Sequence, residues 1–411
     1  MKILQLCIRV PYPPADGGTI AMHSLGQSLV KQGAELKILA MNTSRHYVTL
    51  NSLPADYKTK TQIETVDLDT RIKPFDAFKN LFKSESYNVK RFDHSSFHQK
   101  LRKILADEKF DIVQFESVFA GPYLQTVRQT SGASCVLRAH NIEHIIWQRM
   151  AETSSNLLKK RYLKLLSSRL KKYESDIIGK FDALLPMTKQ DSETFLRINP
   201  SVKQRIVPIG LNPDVYPYDE NRKETLSVFH LGSMDWMPNQ EAIEWFLENC
   251  WYELKKSVPS LKLYLAGRGF PDSLKIDDEN VVYDESVSNA VEYMKSKSVM
   301  IVPLLSGSGM RVKILQAFAL GLPVVSTVIG AEGIECTDGE DILIADTPSD
   351  FAAATIRLLN DPLLRKKIGK NARKLFMEKY SSARIAEGVV EFYKSLTKQS
   401  VSSGGDPSII R

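Results

Sequence analysis

A glycine-rich loop followed by two cations is the strongest chemical feature of the sequence. Residues 299–326 read VMIVPLLSGSGMRVKILQAFALGLPVVS, which predicts a buried strand, a loop, a helix and a second strand. The loop contains Gly307, Ser308, Gly309 and Met310. We predict that the helix begins near Met310, with Arg311 and Lys313 in its first turn. Backbone N–H groups and cations at a helix N-terminus suit a diphosphate, whereas the alternative is a plain loop with solvated cations.

A second polar group follows the predicted strand Ser134–Ala139, in the sequence RAHNIEH. Ligands bind at the carboxyl ends of strands in open parallel sheets, so His140 and Glu143 are candidate catalytic residues. The alternative is a structural role, in which Asn141 is the N-cap of the next helix and Glu143 lies in its first turn.

Two further loops are weaker candidates. Gly17 and Gly18, in PPADGG, would let the backbone approach a phosphate or sugar closely, although a Pro/Gly turn explains them equally well. Arg268, in the tripeptide GRG after the strand Leu261–Ala266, could contact a phosphate or a base, or lie in a surface turn. The loop after the first strand does not read G-x-G-x-x-G, which disfavours a nicotinamide-dependent oxidoreductase.

Strands and helices alternate in both halves of the chain, and these elements must position the candidate residues. The alternation predicts an α/β fold of two doubly wound, Rossmann-like parallel-sheet domains that face each other across a cleft. We place the domains at residues 1–207 and 208–380, with a strand at Arg205–Ile209 before the hinge. A helix at 381–397 crosses back to the first domain, and 398–411 is a flexible tail.

Composition excludes several classes of protein. Of the 411 residues 43% are hydrophobic and 25% are charged, as in folded soluble proteins, and no run approaches the ~18 apolar residues of a membrane span. The first residues, MKILQLCIRVPYP, predict a buried strand and not a signal peptide. The four cysteines lack metal-site spacing, which predicts buried thiols in a reducing cytoplasm and no metal site.

Charge differs between the halves. Residues 1–205 contain 32 Lys and Arg against 20 Asp and Glu, whereas residues 206–411 contain 23 against 28. The basic half therefore suggests contact with an anionic partner, although a solvated basic face is the alternative. An acidic second half argues against nucleic acid. Seven cations alternate with leucines over Lys159–Lys172, so a helix there could lie on an anionic membrane or simply be a domain helix.

The second half resembles glycosyltransferase family 4, the group 1 glycosyltransferases of GT-B fold. The resemblance covers most of residues 225–395 and only weakly the first half. It rests on Gly307-Ser308-Gly309, Arg311, Lys313, Gln316-Ala317, Gly321-Leu322-Pro323-Val324-Val325, Gly330-Ala331-Glu332-Gly333 and Gly339 with Asp341-Ile342-Leu343. Ser308 and Gln316 stand where the family carries two glutamates. The stretch 232–239, with the candidate donor-binding residues Gly232 and Ser233, lacks the family's Arg and Lys.

This resemblance implies a hexosyltransferase-type enzyme that moves a sugar from a nucleotide diphosphate to a glycan or lipid-linked acceptor. It implies retention of anomeric configuration, no metal and no cofactor, with the donor on the second domain and the acceptor on the first. His140 would lie near the donor sugar, and Gln316 near the ribose. We expect a cytoplasmic enzyme of cell-envelope polysaccharide biosynthesis, peripheral at the inner face of the membrane. Two alternatives stay open: a sugar-nucleotide epimerase or phosphorylase, and a non-catalytic two-lobed binding protein.

Overall fold

The structure is a computed structural model that describes residues 1–73, 75, 79, 80, 83–153, 156–220, 225–307 and 309–402. Ser308 and residues 403–411 of the expected tail lie outside these ranges. The chain divides into two compact units. The first comprises Met1–Gly210 with the chain from Ile385 onward, and the second comprises Leu211–Arg384.

The first unit is built on a parallel sheet of strand order β3-β2-β1-β4-β5-β6. Its strands are β1 (Lys2–Cys7), β2 (Glu35–Thr43), β3 (Glu64–Leu68), β4 (Ile112–Glu116), β5 (Ser134–Ala139) and β6 (Ala183–Pro186). The strands in the centre are almost continuously buried, as expected when helices cover both faces of a parallel sheet. Because β1 lies between β2 and β4, the direction in which strands are added reverses there.

Helices connect these strands and cover the sheet. They are α1 (Gly17–Lys31), α2 (Ala55–Thr61), α3 (Tyr87–Lys90), α4 (Ser95–Asp107), α5 (Leu124–Thr130), α6 (Glu143–Thr153), α7 (Leu157–Ile178) and α8 (Lys189–Ile198). Helix α1 begins at a capping box, in which the Asp16 side chain accepts the N–H of Thr19 and the Thr19 hydroxyl accepts the N–H of Asp16.

The second unit repeats the topology, with strand order β12-β11-β10-β7-β8-β9. Its strands are β7 (Thr225–Leu231), β8 (Lys262–Ala266), β9 (Val281–Asp284), β10 (Lys297–Val302), β11 (Val324–Ser326) and β12 (Leu343–Ile344). Read from β9, this order is the doubly wound order of the first sheet, and the reversal falls between β7 and β10. The prediction of two doubly wound parallel sheets is therefore confirmed.

The helices of the second unit follow the same alternation. They are α9 (Met237–Asn249), α10 (Trp251–Ser257), α11 (Ala290–Lys295), α12 (Val312–Ala319), α13 (Pro348–Asn360) and α14 (Pro362–Leu375). The last helix, α15 (Ser382–Ser402), begins in the second unit and continues into the first. There it adds Ala386, Val389, Tyr393 and Leu396 to a core that includes Ile3 and Cys7 of β1.

One predicted strand is wrong. Arg205–Ile209 is not part of the sheet: Gln204 forms a single bridge to Leu184, and the chain then runs beside β6 with hydrogen bonds such as Val207 N–H to the Pro186 carbonyl. Three prolines follow within ten residues, and their fixed φ angles prevent a regular ladder from continuing.

Cys7, Cys135 and Cys250 are buried free thiols, and Cys336 is partly buried. The search of the described residues for a helix that is long and apolar enough to cross a membrane found none.

Candidate functional site

Each sheet has polar side chains at its carboxyl edge, at the point where the strand order reverses. In open α/β sheets this switch point forms a crevice that binds ligands. In the second unit it lies between β7 and β10, so the loop at Gly232 and the glycine loop before α12 leave the sheet side by side.

Lys313, in the first turn of α12, reaches across this switch point. Its Nζ donates a hydrogen bond to Asn239 Oδ1 at 3.0 Å and lies 3.2 Å from His230 Nε2. His230 Nδ1 lies 3.1 Å from the Ile301 carbonyl oxygen, so Nδ1 carries the proton and Nε2 accepts from Lys313. The ammonium group is thereby fixed between β7, α9 and α12.

The electrostatics of Lys313 are unusual. Burial and the neighbouring Arg311 charge lower its pKa to about 7. Burial and Lys313 together hold the pKa of His230 well below its usual range, so His230 is neutral. No carboxylate forms a salt bridge with Lys313 within the described ranges. An anion that binds here would therefore pair with the Lys313 ammonium group, whose charge no carboxylate of the described residues neutralises.

The close approach of Lys313 explains why position 232 is a glycine. A Cβ atom at this position would lie 2.6 Å from Lys313 Nζ and 2.8 Å from Asn239 Nδ2, so a side chain here would displace the ammonium group. Gly267 leaves similar room in the next turn: its φ is +140°, and a Cβ atom would lie 2.0 Å from the Gly232 carbonyl oxygen.

Arg311 lies inside its own loop. It is the N-cap of α12, because the helix begins at Val312, two residues later than predicted. Its side chain is only 6% exposed. Its Nη1 donates to the Gly309 carbonyl, and its guanidinium carbon lies 5.4 Å from the Trp236 ring centroid. Gly307, with φ +114°, borders both groups. The glycine loop before α12 and Arg311 thus pack against each other, as the sequence suggested, with the loop around the guanidinium group.

The remaining donor-side candidates lie around this centre. Arg268 is exposed after β8 and pairs with Asp235 (Nε to Oδ2, 2.8 Å), with the Ser233 hydroxyl 3.3 Å away. Gln316 Nε2 donates to the Tyr216 hydroxyl at 3.1 Å, which leaves its carbonyl oxygen for a ligand. Met310 lies between Gly309 and Arg311 and is partly buried, whereas Ser308 lies outside the described residues.

In the first unit the switch point is occupied by Glu116, the last residue of β4. Its side chain is fully buried, and Oε2 lies 2.5 Å from His140 Nε2 and 3.6 Å from Arg138 Nη1. Gln5 of β1 donates to Oε1 at 2.6 Å. Although burial opposes it, the charge of Arg138 and the hydrogen bond from His140 lower the pKa of Glu116 to about 2.

An ionised Glu116 determines the state of His140. The carboxylate can only accept, so Nε2 of His140 carries a proton and donates it in this hydrogen bond. Nδ1 is then the nitrogen that His140 can present to a substrate. Gln114 holds the Glu116 carboxylate in place, because Gln114 Nε2 donates a hydrogen bond to Glu116 Oε1. The Oε1 atom of Gln114 in turn accepts a hydrogen bond from the Tyr393 hydroxyl of α15 at 2.5 Å.

Glu143 begins helix α6 near a second carboxylate. Glu174 of α7 accepts the backbone N–H groups of Glu143 (3.0 Å) and His144 (2.9 Å), which is the capping role that the sequence suggested for Asn141. Burial and the Glu174 charge raise the pKa of Glu143 to about 8, against the hydrogen bond from Asn141. At neutral pH Glu143 is therefore mainly a neutral acid that can donate a proton.

Gly17 and Gly18 form the first turn of α1. The Asp16 carboxylate accepts the N–H groups of Gly18 (3.0 Å) and Thr19 (3.1 Å) and pairs with Arg9. A Cβ atom at Gly18 would lie 2.5 Å from Arg9 Nη2, so glycine is needed to make room for this guanidinium.

Sequence reasoning did not identify Asn239, His230, Glu116 or Trp236. The available signal was an ionisable side chain in a buried, mainly apolar strand, as His230 is in β7 and Glu116 is at the end of β4. In the described ranges, no three His, Cys, Asp or Glu side chains form a group that could hold a metal ion.

Known proteins with similar sequences include glycosyltransferases. Residues 225–361 match the family model described as Glycosyl transferases group 1. An uncharacterized 44.6 kDa protein in the cps region of Klebsiella pneumoniae is 27% identical over 330 residues, which are 76% of this chain and 80% of that protein. The capsular polysaccharide biosynthesis glycosyltransferase CapM of Staphylococcus aureus is 32% identical over 124 residues, 29% of this chain and 32% of CapM.

Solved structures share the fold over nearly the whole chain. Sucrose-phosphate synthase from Thermosynechococcus elongatus has a TM-score of 0.70 at 16% identity, covering 97% of this chain and 100% of that one. A mutant of S. aureus TarM, in complex with fondaparinux, alpha-GlcNAc-glycerol and UDP, has a TM-score of 0.68 at 11% identity, covering 96% and 100%.

The family match supports glycosyltransferase activity and does not favour the epimerase or the binding protein. The resemblance found in the sequence is thereby confirmed: residues 225–361 match the group 1 glycosyltransferases, in a chain of GT-B fold.

Proposed function

We propose that the protein transfers a sugar from a nucleotide diphosphate donor to a glycan or lipid-linked acceptor, and that the second unit binds the donor. The observation that carries this proposal is the ammonium group of Lys313. It is held at the switch point beside Arg311 and has no carboxylate partner among the described residues. UDP is bound in the complex of TarM, which shares the fold, and this supports a nucleoside diphosphate as the ligand.

In this proposal Lys313 and Arg311 stabilise the charge that develops on the diphosphate as it leaves. The Gly309 and Met310 amides add hydrogen-bond donors, and the Gln316 carbonyl oxygen accepts from a ribose hydroxyl. Positive side chains thus do what a divalent cation does in metal-dependent transferases. We therefore expect activity to persist in the presence of EDTA.

On the acceptor side, His140 presents Nδ1 to the transferred sugar, and Glu143 supplies or holds a proton near neutral pH. The acceptor oxygen bonds to the anomeric carbon from the face that the diphosphate leaves, while the bond from that carbon to the phosphate oxygen breaks. The proton of the acceptor hydroxyl passes to the departing phosphate oxygen, and the product keeps the anomeric configuration of the donor. The relation to CapM supports a place in polysaccharide biosynthesis of the cell envelope. NMR spectra of the product would show an inverted anomeric signal if this stereochemistry is wrong.

The central experiment is calorimetric titration of the chain with UDP-, GDP- and ADP-sugars, followed by a transfer assay with the sugar that binds. Lys313→Gln should weaken nucleotide binding by about tenfold or more, because a charge-assisted hydrogen bond to phosphate is lost. Lys256→Gln, which neutralises an exposed lysine on α10, is the matched control. Equal affinities of the two variants, with both folded, would remove the basis of the donor site.

We also propose peripheral contact with an anionic membrane at the start of α7, on the cytoplasmic face. Leu157 and Leu158 are 74% and 77% exposed there and are followed directly by Lys159, Lys160 and Arg161. Apolar side chains beside cations favour the interface of an anionic bilayer. Cosedimentation with phosphatidylglycerol vesicles should decrease for Leu157→Asp and not for Val215→Asp, since Val215 is an exposed apolar residue of the second unit with no lysine or arginine beside it in the sequence.

A further inference from the structure

A cavity of about 450 Å³ lies at the carboxyl edge of the first sheet. Residues that follow β1, β2 and β3 form its wall, together with the segment before α4. Its ten described lining residues include four arginines and no Asp or Glu, and the arginines are Arg9, Arg45, Arg71 and Arg91. We call this cavity the arginine pocket.

Two of the arginines are held by carboxylates that lie outside the lining. Arg9 donates from Nη1 to Asp16 Oδ2 at 2.8 Å, and Arg71 donates from Nε and Nη2 to the two oxygens of Asp69 at 2.9 and 3.1 Å. These pairs orient the guanidinium groups and cancel two of the four charges.

The other two arginines retain their charge. Arg91 donates from Nη1 to the Thr70 carbonyl at 3.1 Å and lies 5.6 Å from the Phe92 ring centroid, while its buried Nε–H has no acceptor in the described ranges. Arg45 is exposed, and within those ranges neither Arg45 nor Arg91 forms a salt bridge with a carboxylate. Counted over the described residues, the pocket thus has an excess of two positive charges.

His46, in the same wall, responds to this field. Burial and the charges of Arg9 and Arg45 lower its pKa, while the charge of Asp16 opposes them. The charges of Arg9 and Arg45 thus act together on this side chain of the wall.

The cationic surface continues beyond the pocket. An adjoining cavity of about 300 Å³ shares Arg71 and Arg91 with it. Four lysines line this second cavity, against two carboxylates: Lys73, Lys79, Lys83 and Lys90, with Asp69 and Glu85. A ligand in the arginine pocket can therefore extend along a surface that remains positive.

We propose that the arginine pocket binds a phosphate group carried by the sugar acceptor. Guanidinium forks match phosphate oxygens with two parallel hydrogen bonds, and the two uncompensated charges match a phosphate dianion. The volume is in the range of small-molecule sites. The assignment to the acceptor rests on the proposed function, in which the donor diphosphate is bound at Lys313 of the second unit. The phosphate belongs to a sugar phosphate or to a lipid diphosphate that carries the sugar.

Titration of the full chain without nucleotide tests the pocket. Glucose 6-phosphate and geranyl diphosphate should bind, whereas glucose should not, and their relative affinities distinguish a free sugar phosphate from a lipid-linked acceptor. Arg45→Ala should weaken binding of the phosphorylated ligands by about tenfold. Arg102→Ala, an exposed arginine on α4 of the same unit, should leave it unchanged.

The proposed phosphate site would be wrong if glucose and glucose 6-phosphate bound equally well. It would also be wrong if Arg45→Ala and Arg102→Ala lowered the affinity for the phosphorylated ligands equally. Failure of the proposed function gives a different result. If Arg45→Ala weakens phosphate binding but no nucleotide sugar binds or is consumed, the phosphate site is supported and the proposed transferase activity is wrong. If the protein transfers sugar to neutral acceptors as fast as to phosphorylated ones, and Arg45→Ala leaves that rate unchanged, the transferase activity is supported. The proposal that the acceptor carries a phosphate is then wrong.

Discussion

At the scale of single residues, the position of Lys313 makes its proton a reporter of ligand binding. Its pKa is about 7 in the folded protein because burial and Arg311 disfavour the charged form. A bound diphosphate reverses this preference by placing negative charge beside the ammonium group. Proton uptake should therefore accompany nucleotide binding.

We expect uptake of up to one proton per nucleotide at pH 8, where free Lys313 is mostly neutral. Calorimetry of UDP binding in two buffers of different ionisation enthalpy measures this number directly. Lys313→Arg should bind the nucleotide without uptake, because a guanidinium remains protonated at this pH. Undiminished uptake in Lys313→Arg would assign the proton to another group.

Glu143 should make folding stability depend on pH. Its pKa is about 8 in the folded protein and near 4.5 when unfolded, so the folded state binds more protons between these values. The free energy of unfolding should therefore fall as the pH rises from about 4.5 to 8, when Glu143 ionises beside Glu174. Urea denaturation of Glu143→Gln at pH 5 and pH 8 should show a smaller decrease than in the natural chain.

Glu152→Gln is the control for this measurement, because Glu152 is an exposed carboxylate on the same helix. It should reproduce the pH dependence of the natural chain. A Glu143→Gln protein with the same dependence would show that other carboxyl groups produce it.

At the scale of elements, the turns after β7 and β8 are packed so closely that a single methyl group should disrupt them. Gly267→Ala places Cβ 2.0 Å from the Gly232 carbonyl oxygen at a φ of +140°. We expect a loss of more than about 3 kcal/mol in unfolding free energy, since both strain and a backbone clash are introduced.

Gly33→Ala separates the two causes. Gly33 has φ +83°, and no atom lies within 4 Å of an added Cβ, so only backbone strain applies. This variant should lose about 1 kcal/mol in the same denaturant titration. Equal losses in both variants would show that the Gly232 turn moves aside.

The strands and helices that carry the sites were predictable from local patterns, but the contacts between them were not. Buried strands such as β1 and β5 are mainly apolar, whereas the edge strand β3, with sequence ETVDL, was missed because polar residues alternate along it. The glycine loop was found from its spacing. Lys313 contacts Asn239 and His230, 74 and 83 residues away, and no local pattern predicts such a pairing.

At the scale of the whole molecule, the first unit depends on a helix from the far end of the sequence. Deletion of residues 385–411 removes the buried Ala386, Val389, Tyr393 and Leu396, and it leaves the Gln114 oxygen without its hydroxyl donor. Each large apolar side chain contributes about 1.5–3 kcal/mol when buried. Calorimetry should show the first unit unfolding at a lower temperature, while the second unit keeps its own transition.

Deletion of residues 403–411 is the control, because it removes no contact of the described structure. Both transitions should then stay where they are in the full chain. An unchanged first transition after the longer deletion would mean that α15 contributes little to that core.

The return of α15 to the first unit also affects the order of events during synthesis. A ribosome completes the residues of the second unit before it reaches Tyr393, so the second unit can fold first although it comes later in the sequence. Until then the N-terminal sheet has an open apolar groove beside β1 and a Gln114 side chain with no hydroxyl donor. The nascent N-terminal half should therefore bind chaperones during synthesis, and Gln114 and Glu116 can reach their final arrangement only after Tyr393 has been synthesised.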